Sequence, residues 1–435
     1  MEAETIFALA SGGGVAGVAV VRISGPRARE ALERFCGGVP PSRKAALRSI
    51  VDPRSGREID SGLILFFPGP ASFTGEDVVE LQVHGSRAIV RELLGCLGDQ
   101  PGFRAAAAGE FTERAFRNGK MDLLDVEALG DLLEADSIMQ ARFAREAQAR
   151  LRVKGQDWRR RIIELRALTE AYIDFSDEDD ITQYGAVETA PLAAALAEEL
   201  SRVIATFEQG ERMRHGLRVA ILGAPNAGKS SLLNALARRD AAIVSSQAGT
   251  TRDVVEIHLV LGGYPVVLWD TAGLREAADL IEREGVRRAL QRAAEADLKL
   301  WLSAADDPQD PLIDGCLVVV TKADLIDSNT IRLEKAVVIS TETKFGIDRL
   351  IALIEERASA ELNLGDDIMV AHERQRSRLI RARDAVLRYI GIPVDALELR
   401  SEELRHAEAA LESLVGRVGY EDVLGEIFSR FCIGK

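Results

Sequence analysis

The eight residues Gly223-Ala224-Pro225-Asn226-Ala227-Gly228-Lys229-Ser230 constrain the fold of this chain more than any other stretch. They follow a β-rich run, Leu217 to Leu222, and open a segment that reads as a helix. A strand, a glycine-bounded turn and a helix in that order make a P-loop. The glycines let the backbone turn its N–H groups onto phosphate oxygens, Lys229 brings positive charge to the β and γ phosphates, and the Ser230 hydroxyl reaches Mg²⁺. Asn226, Ala227, Gly228 and Ser231 belong to the same expected contact. Further β-rich runs at Tyr264 to Asp270, Lys299 to Ser303, Cys316 to Thr321 and Ala336 to Ser340 alternate with helical stretches. That alternation predicts a mostly parallel sheet covered on both faces.

Several downstream motifs occur in the order a nucleotide site needs. Asp270-Thr271-Ala272-Gly273 ends a strand run, where an Asp holds Mg²⁺ through water and a Gly N–H senses the γ phosphate. Thr321-Lys322-Ala323-Asp324 resembles the guanine-reading NKxD motif with Thr in place of Asn. Asp324 can accept two hydrogen bonds from the guanine N1–H and 2-amino group, which adenine does not offer. Loss of the amide at position 321 predicts looser nucleotide binding. Ser340-Thr341-Glu342 takes the place of the usual SAK loop and departs from it. Gly249-Thr250-Thr251-Arg252-Asp253 reads as a switch segment, led in by Ser245, Ser246, Gln247 and Ala248, with Thr251 as the second hydroxyl on Mg²⁺. Leu274 stands where Ras-like enzymes place a water-orienting Gln, so another group must hold the water. The stretch from Gly273 to Glu284 offers several carboxylates, and spacing alone does not choose among them.

At 435 residues the chain exceeds one compact core and predicts about two to four domains. From Thr5 to Arg117, short β-rich runs such as Gly17 to Ile23 and Val78 to Val83 alternate with helical stretches, which reads as α/β. From Leu123 to Gln209 apolar residues recur at helical spacing, as at Ile162, Leu165, Leu168 and Tyr172. The acidic stretch Asp174 to Gln183 is expected to be a loop. Past Gly365 the chain is helical again, with Leu397, Ser401, Leu404, Ala407, Leu411 and Leu414 on one face. The expected boundaries are 1–118 for the N-terminal α/β domain, 119–214 and 365–435 for the two parts of one helical bundle, and 215–364 for a P-loop domain inserted in it.

A formal net charge of -14 argues against a surface that binds nucleic acid non-specifically, since phosphate neutralisation needs clustered Lys and Arg. Cys36, Cys96, Cys316 and Cys432 lack metal-ligand spacing and read as reduced thiols. No apolar run is long enough to span a membrane, and the N-terminus Met1-Glu2-Ala3-Glu4 is acidic where a targeting peptide would be basic. A cytoplasmic protein with no membrane partner is expected.

Asn226, GTTRD at Gly249 to Asp253 and DTAGLRE at Asp270 to Glu276 together resemble the MnmE family of tRNA uridine-modification GTPases. So do Ser72-Phe73-Thr74-Gly75-Glu76-Asp77, the run GEFTERAFRNGKMDL from Gly109 to Leu123, and the terminal Phe431-Cys432-Ile433-Gly434-Lys435. The resemblance covers essentially the whole chain, with a GTPase domain shortened between Ala304 and Cys316. It implies an N-terminal α/β tetrahydrofolate-binding and dimerisation domain, a discontinuous helical bundle and an inserted Ras-like P-loop GTPase domain.

The same resemblance implies site roles. Glu282 would orient the attacking water, and K⁺ would take the place of an arginine finger in paired GTPase domains, ligated by Asn226 with Ser245, Gln247 and Thr250 around it. Such a cation offsets charge that develops in the transition state. Arg22, Glu80, Lys120 and Lys435 match folate-site positions, for a 5-formyl or 5,10-methylene tetrahydrofolate derivative. Implied partners are a second copy of the chain, an FAD-dependent subunit and tRNA. The implied activity is a carboxymethylaminomethyl-type addition to C5 of the wobble uridine, gated by GTP turnover to GDP.

A P-loop with GTTRD also suits ribosome-assembly GTPases, which would add an RNA-binding appendage that this chain does not show, and a folate-binding scaffold with a vestigial GTPase conflicts with Lys229, Ser230 and Thr251. Gly12 to Gly17 fits GxGxxG, but a strand-like run follows where a dinucleotide fingerprint needs a helix. The final Cys-Ile-Gly-Lys fits a prenylation box poorly. His84 reads as structural, and Cys432 as either a reactive thiol or a packing residue.

Overall fold

The computed structural model describes residues 4–174, 181–238, 242–243, 256–270, 294–325, 336–362, 365, 367–416, 428, 431 and 434. The chain divides into two compact units, Met1–Gly130 with Glu412–Lys435, and Asp131–Leu411.

The first unit is built on β1 (Thr5–Leu9), β2 (Ala16–Ser24), α1 (Ala28–Cys36), β3 (Ala46–Val51), β4 (Glu58–Phe67), β5 (Val78–Gly85), α2 (Arg87–Gly98), β6 (Phe103–Ala105) and α3 (Glu110–Arg117), and α4 (Leu123–Glu134) leads out of it. The strands form a six-stranded sheet in the order β3-β4-β5-β2-β1-β6. Pairing is antiparallel except between β1 and β6. Alternation decides its faces: Ala19, Val21 and Ile23 of β2 turn inward onto Ala28, Leu32 and Phe35 of α1 and Leu93 and Leu97 of α2. Helix α1 ends at Gly37 in the left-handed region (φ 69°), whose N–H donates to the Leu32 carbonyl. Leu123 and Val126 of α4 pack against Phe428 and Phe431 near the C-terminus, with both rings buried.

The second unit begins with the helices α5 (Ile138–Asp174), α6 (Ile181–Ala205) and α7 (Phe207–His215). A seven-stranded sheet follows, from β7 (Leu217–Gly223), α8 (Lys229–Ala237), β8 (Ala242–Ile243), β9 (Glu256–Leu261), β10 (Tyr264–Asp270), β11 (Leu298–Ala304), β12 (Leu317–Thr321) and β13 (Val337–Val338), closed by α9 (Ile347–Glu361). The helices resume with α10 (Glu373–Gly391) and α11 (Leu397–Val415). The strand order is β13-β12-β11-β7-β10-β9-β8, with the P-loop strand β7 at the centre and parallel to β10 and β11. Only short runs such as Val219 to Leu222, buried throughout, suit a strand covered on both faces. Strand β9 alone enters antiparallel to β10, which gives the sheet its Ras-like order.

The two helical segments pack together, so the GTPase-type domain is an insertion within one bundle. Thr169 of α5 shares a 3.2 Å hydrogen bond with Tyr389 of α10. Gln375 of α10 donates to Gln148 of α5 at 3.1 Å. Arg159 and Arg166 of α5 both reach Glu408 of α11, at 2.9 and 2.7 Å. On α11, Leu397, Leu404, Ala407, Leu411 and Leu414 are each buried and Ser401 is half-buried, as their helical spacing predicts. One expectation needs correcting: Ile181 to Gln183 do not belong to a loop but open α6. The Asp174 end of the acidic stretch is likewise helical.

Candidate nucleotide-binding site

The P-loop conformation is dictated by its glycines. Gly223 ends β7 at φ 145°, and a β-carbon there would lie 2.3 Å from the Leu302 carbonyl oxygen on the neighbouring strand. Any side chain would force β7 and β11 apart. Gly228 (φ 87°) turns the chain into α8 through the left-handed region, which a β-carbon disfavours. Asn226 also lies there (φ 61°), a conformation that Asn tolerates better than most residues. No side chain caps α8, so its first-turn N–H groups suit an anion. Ser230 and Ser231 are exposed in that first turn. Lys229 curls back, donating to the carbonyls of Gly223 at 2.8 Å and Ala224 at 2.7 Å. A bound phosphate would offer that ammonium a stronger, charged acceptor.

The side expected from the sequence to read the base is assembled from β12 and the chain after β13. Thr321, at the end of β12 and 2% exposed, donates its hydroxyl to the Ala227 carbonyl at 2.7 Å. Lys322 adopts φ 57° and its ammonium pairs with Asp306 at 3.0 Å. The Ala323 N–H donates to the Ile339 carbonyl at 3.1 Å. Asp324 is exposed, and one of its carboxylate oxygens accepts from the hydroxyl of buried Ser340. Ser340 also accepts from the Thr343 N–H at 3.1 Å, so its side chain is fixed from both sides. Thr341 and Glu342 follow in the turn before α9. The motifs at Gly223, Thr321 and Ser340 therefore all lie at the carboxyl ends of the parallel strands β7, β12 and β13. Asp270 closes β10, parallel to and beside β7.

Ser245, Ser246, Gln247, Ala248, Gly249, Thr250, Thr251, Thr271, Ala272, Gly273 and Glu282 lie outside the described residues.

In the first unit, Arg22 and Glu80 are cross-strand neighbours on β2 and β5, joined at 3.0 Å. The Arg22 guanidinium stands over Phe73 at 5.4 Å and Phe111 at 5.9 Å. Lys120 donates to the Pro70 carbonyl at 3.0 Å. Lys435 and Cys432 lie outside the described residues.

A partly buried charge network lies in the same unit: Glu110 accepts from Arg104 at 2.6 Å and Arg114 at 3.0 Å, and Arg114 also reaches Glu76 at 3.0 Å. Burial pushes the Glu110 carboxyl up, but the hydrogen bonds from Arg104, the Ala107 N–H and Arg114 outweigh it and hold the group at about 2.

Helix α7, which joins the bundle to β7, carries a second set of ion pairs that sequence reasoning did not find. Arg212 bridges Asp297 at 2.7 Å and Glu361 at 2.8 Å, at the start of β11 and the end of α9. Arg214 reaches back to Asp131 at 2.6 Å, whose other oxygen meets His372 at 2.8 Å. In sequence these are ordinary helix charges, and their partners are remote along the chain.

Among the described residues, no helix is long and apolar enough to cross a membrane and no cluster of three metal-ligand side chains occurs.

Family models described as GTP-binding protein TrmE N-terminus and MnmE helical domain match residues 5–120 and 123–432. A tRNA modification GTPase MnmE of Azorhizobium caulinodans is 50% identical over 435 residues, covering 99% of both chains. That of Rhodospirillum rubrum is 47% identical over 460 residues, covering all of both. Among solved structures, the G domain of the T. maritima FeoB iron transporter matches 33% of this chain and 98% of its own at 26% identity, with a TM-score of 0.26.

Proposed function

The chain belongs to the MnmE family of tRNA modification GTPases, and from that premise we propose how its parts divide the work. It is a GTP-hydrolysing, tRNA-modifying enzyme. The observation that carries the detailed reading is the convergence of the Gly223–Ser230 loop, Thr321 and the Ser340-anchored Asp324 at the carboxyl ends of the parallel strands.

In this reading GTP lies with its phosphates on the loop and the first turn of α8, and its base against Asp324. Mg²⁺ is held by Ser230 and Thr251, with Asp270 reaching it through water. Asn226, with Ser245, Gln247 and Thr250 about the ion, holds K⁺ beside the β and γ phosphates when two GTPase domains pair. Glu282 orients the attacking water where Leu274 cannot. Metal and cation supply charge neutralisation. The chain's own residues supply position.

The first unit binds a tetrahydrofolate derivative through Arg22, Glu80, Lys120 and Lys435. The exposed edge of the Arg22–Glu80 pair combines a donor and an acceptor that a pterin can match. With an FAD-dependent partner, a homodimer in the cytoplasm adds a carboxymethylaminomethyl-type group to C5 of the wobble uridine of tRNA, the folate giving the one-carbon unit. GTP turnover opens and closes the paired domains.

Nucleoside analysis of tRNA from cells lacking the protein tests this reading. Wobble uridines without the C5 substituent are expected, and unaltered ones would refute it.

A further inference from the structure

A net charge of -14 leaves any contact with a polyanion to a local cluster of cations, and α10 carries one. Its 19 residues hold six arginines against two acids, Glu373 and Asp384. Gln375, Leu379, Ala382 and Val386 form its buried face. Beside that face Arg374, Arg378 and Arg381 follow one another at i, i+4 and i+7. A helix that turns about 100° and rises about 1.5 Å per residue sets them in one stripe roughly 10 Å long.

Elsewhere on α10 arginines are neutralised: Arg376 by Glu373 at 3.1 Å, Arg383 by Asp384 at 2.7 Å and Arg388 by Glu403 at 2.8 Å. Among the described residues, Arg378 and Arg381 meet no carboxylate and make no hydrogen bond. Arg381 is exposed and Arg378 half-buried. Burial, and then the guanidiniums of Arg381 and Arg374, push Arg378 below its ordinary value. Like charges one turn apart destabilise a helix. A stripe kept at that cost suits an anion supplied from outside the chain.

We propose that the stripe centred on Arg378 and Arg381 is a docking surface for the phosphate backbone of tRNA. The inference rests on the reading that this chain takes tRNA as its substrate. The negative charge of the rest of the chain repels that polyanion, so the stripe also sets where the RNA lies. A guanidinium fork matches two phosphate oxygens at once. Phosphate contacts position an RNA without reading its sequence, so the choice among tRNAs is left to other groups.

The test is binding of labelled tRNA by the full-length chain, followed by fluorescence anisotropy across a range of KCl concentrations. Replacing both residues, Arg378→Gln with Arg381→Gln, should weaken binding about ten-fold at moderate salt and reduce the salt slope by about two. The loss should be the same for different tRNAs. Arg378→Lys with Arg381→Lys keeps the charge and should recover affinity to within about three-fold. Arg160→Gln removes an exposed arginine already paired with Asp157 and Glu164, and should leave the slope unchanged. GTP hydrolysis without tRNA should stay within about two-fold in every variant.

The thermal midpoint of the double glutamine variant should equal or exceed that of wild type, because like charges are removed. A lowered midpoint that the lysine variant shares would make the arginines structural and overturn the proposal. So would wild-type affinity and slope in the glutamine variant, or no tRNA binding by the wild-type chain. Intact tRNA binding with lost binding to the FAD-dependent partner would assign the stripe to an acidic protein surface, and overturn it as well. Nucleoside analysis of cellular tRNA tests the wider tRNA-modifying reading separately.

Discussion

Arg214 of α7 and Asp131 at the end of α4 meet at 2.6 Å with both side chains largely buried, and Asp131 also meets His372 at the start of α10. One carboxylate therefore ties the helix that enters the GTPase domain to the chain that leaves it. Burial alone would raise the Asp131 carboxyl, but His372 and Arg214 outweigh it and hold the group below the usual carboxylate range. Removing one partner of a buried pair leaves the other uncompensated. Asp131→Asn should cost about 3 kcal/mol of stability, measured as a lower urea midpoint at unchanged slope.

Glu110 sets an acid limit on the first unit. Its folded value of about 2 lies below the ordinary glutamate value, so its stabilisation is complete above the unfolded range, about 4.3, and disappears as pH falls toward 2. Wild-type stability should drop across that window. Glu110→Gln should be less stable at pH 7, by roughly 3 kcal/mol, and should lose less on acidification. Urea unfolding of both proteins at pH 7 and pH 3 checks the sign.

In the proposed site Asp324 reads the base through acceptors alone, its carboxylate held by the Ser340 hydroxyl. Asp324→Asn replaces one acceptor with a donor that faces the guanine donors. GTP affinity should fall by about thirty-fold or more, the equivalent of roughly 2 kcal/mol. Xanthine nucleotides, which carry an oxygen at C2, should gain relative to GTP. Competition binding with XDP and GDP gives the ratio directly.

Much of this site is legible in the sequence because it is local. The β7–loop–α8 unit follows from glycine placement and an apolar strand, and the Ras-like sheet from regular alternation of runs. The Thr321–Ala227 tie is not legible, since the partner is a backbone atom 94 residues away and any residue type supplies a carbonyl. Thr321 looked like a simple loss of an amide, whereas the structure shows a hydroxyl making a contact of its own. Ser340-Thr341-Glu342 departs from SAK in sequence, but its first residue alone supplies the contact that orients Asp324. The helix that starts at Ile181 was obscured by acidic neighbours that favour a loop in isolation. Long-range ion pairs such as Arg212 with Asp297 and Glu361 share their sequence signature with solvated charges, so spacing cannot pick them out.

The proposed cation and water-orienting roles make a kinetic prediction. GTP hydrolysis should be faster in KCl than in NaCl at equal ionic strength, because only a cation fitted beside the phosphates offsets transition-state charge. Glu282→Ala should slow single-turnover hydrolysis in KCl by about a hundred-fold, with GTP affinity retained. Equal rates in the two salts together with a fully active Glu282→Ala would remove the catalytic basis of the proposed gate.

Mass-spectrometric analysis of tRNA nucleosides, in cells that lack the native protein and express Lys229→Ala at wild-type level, tests the link between nucleotide turnover and modification most directly. The C5-substituted wobble uridine should return with the wild-type chain and stay absent with Lys229→Ala, whose loop has lost the ammonium now held by Gly223 and Ala224. Full restoration of the modified nucleoside by Lys229→Ala would contradict the account.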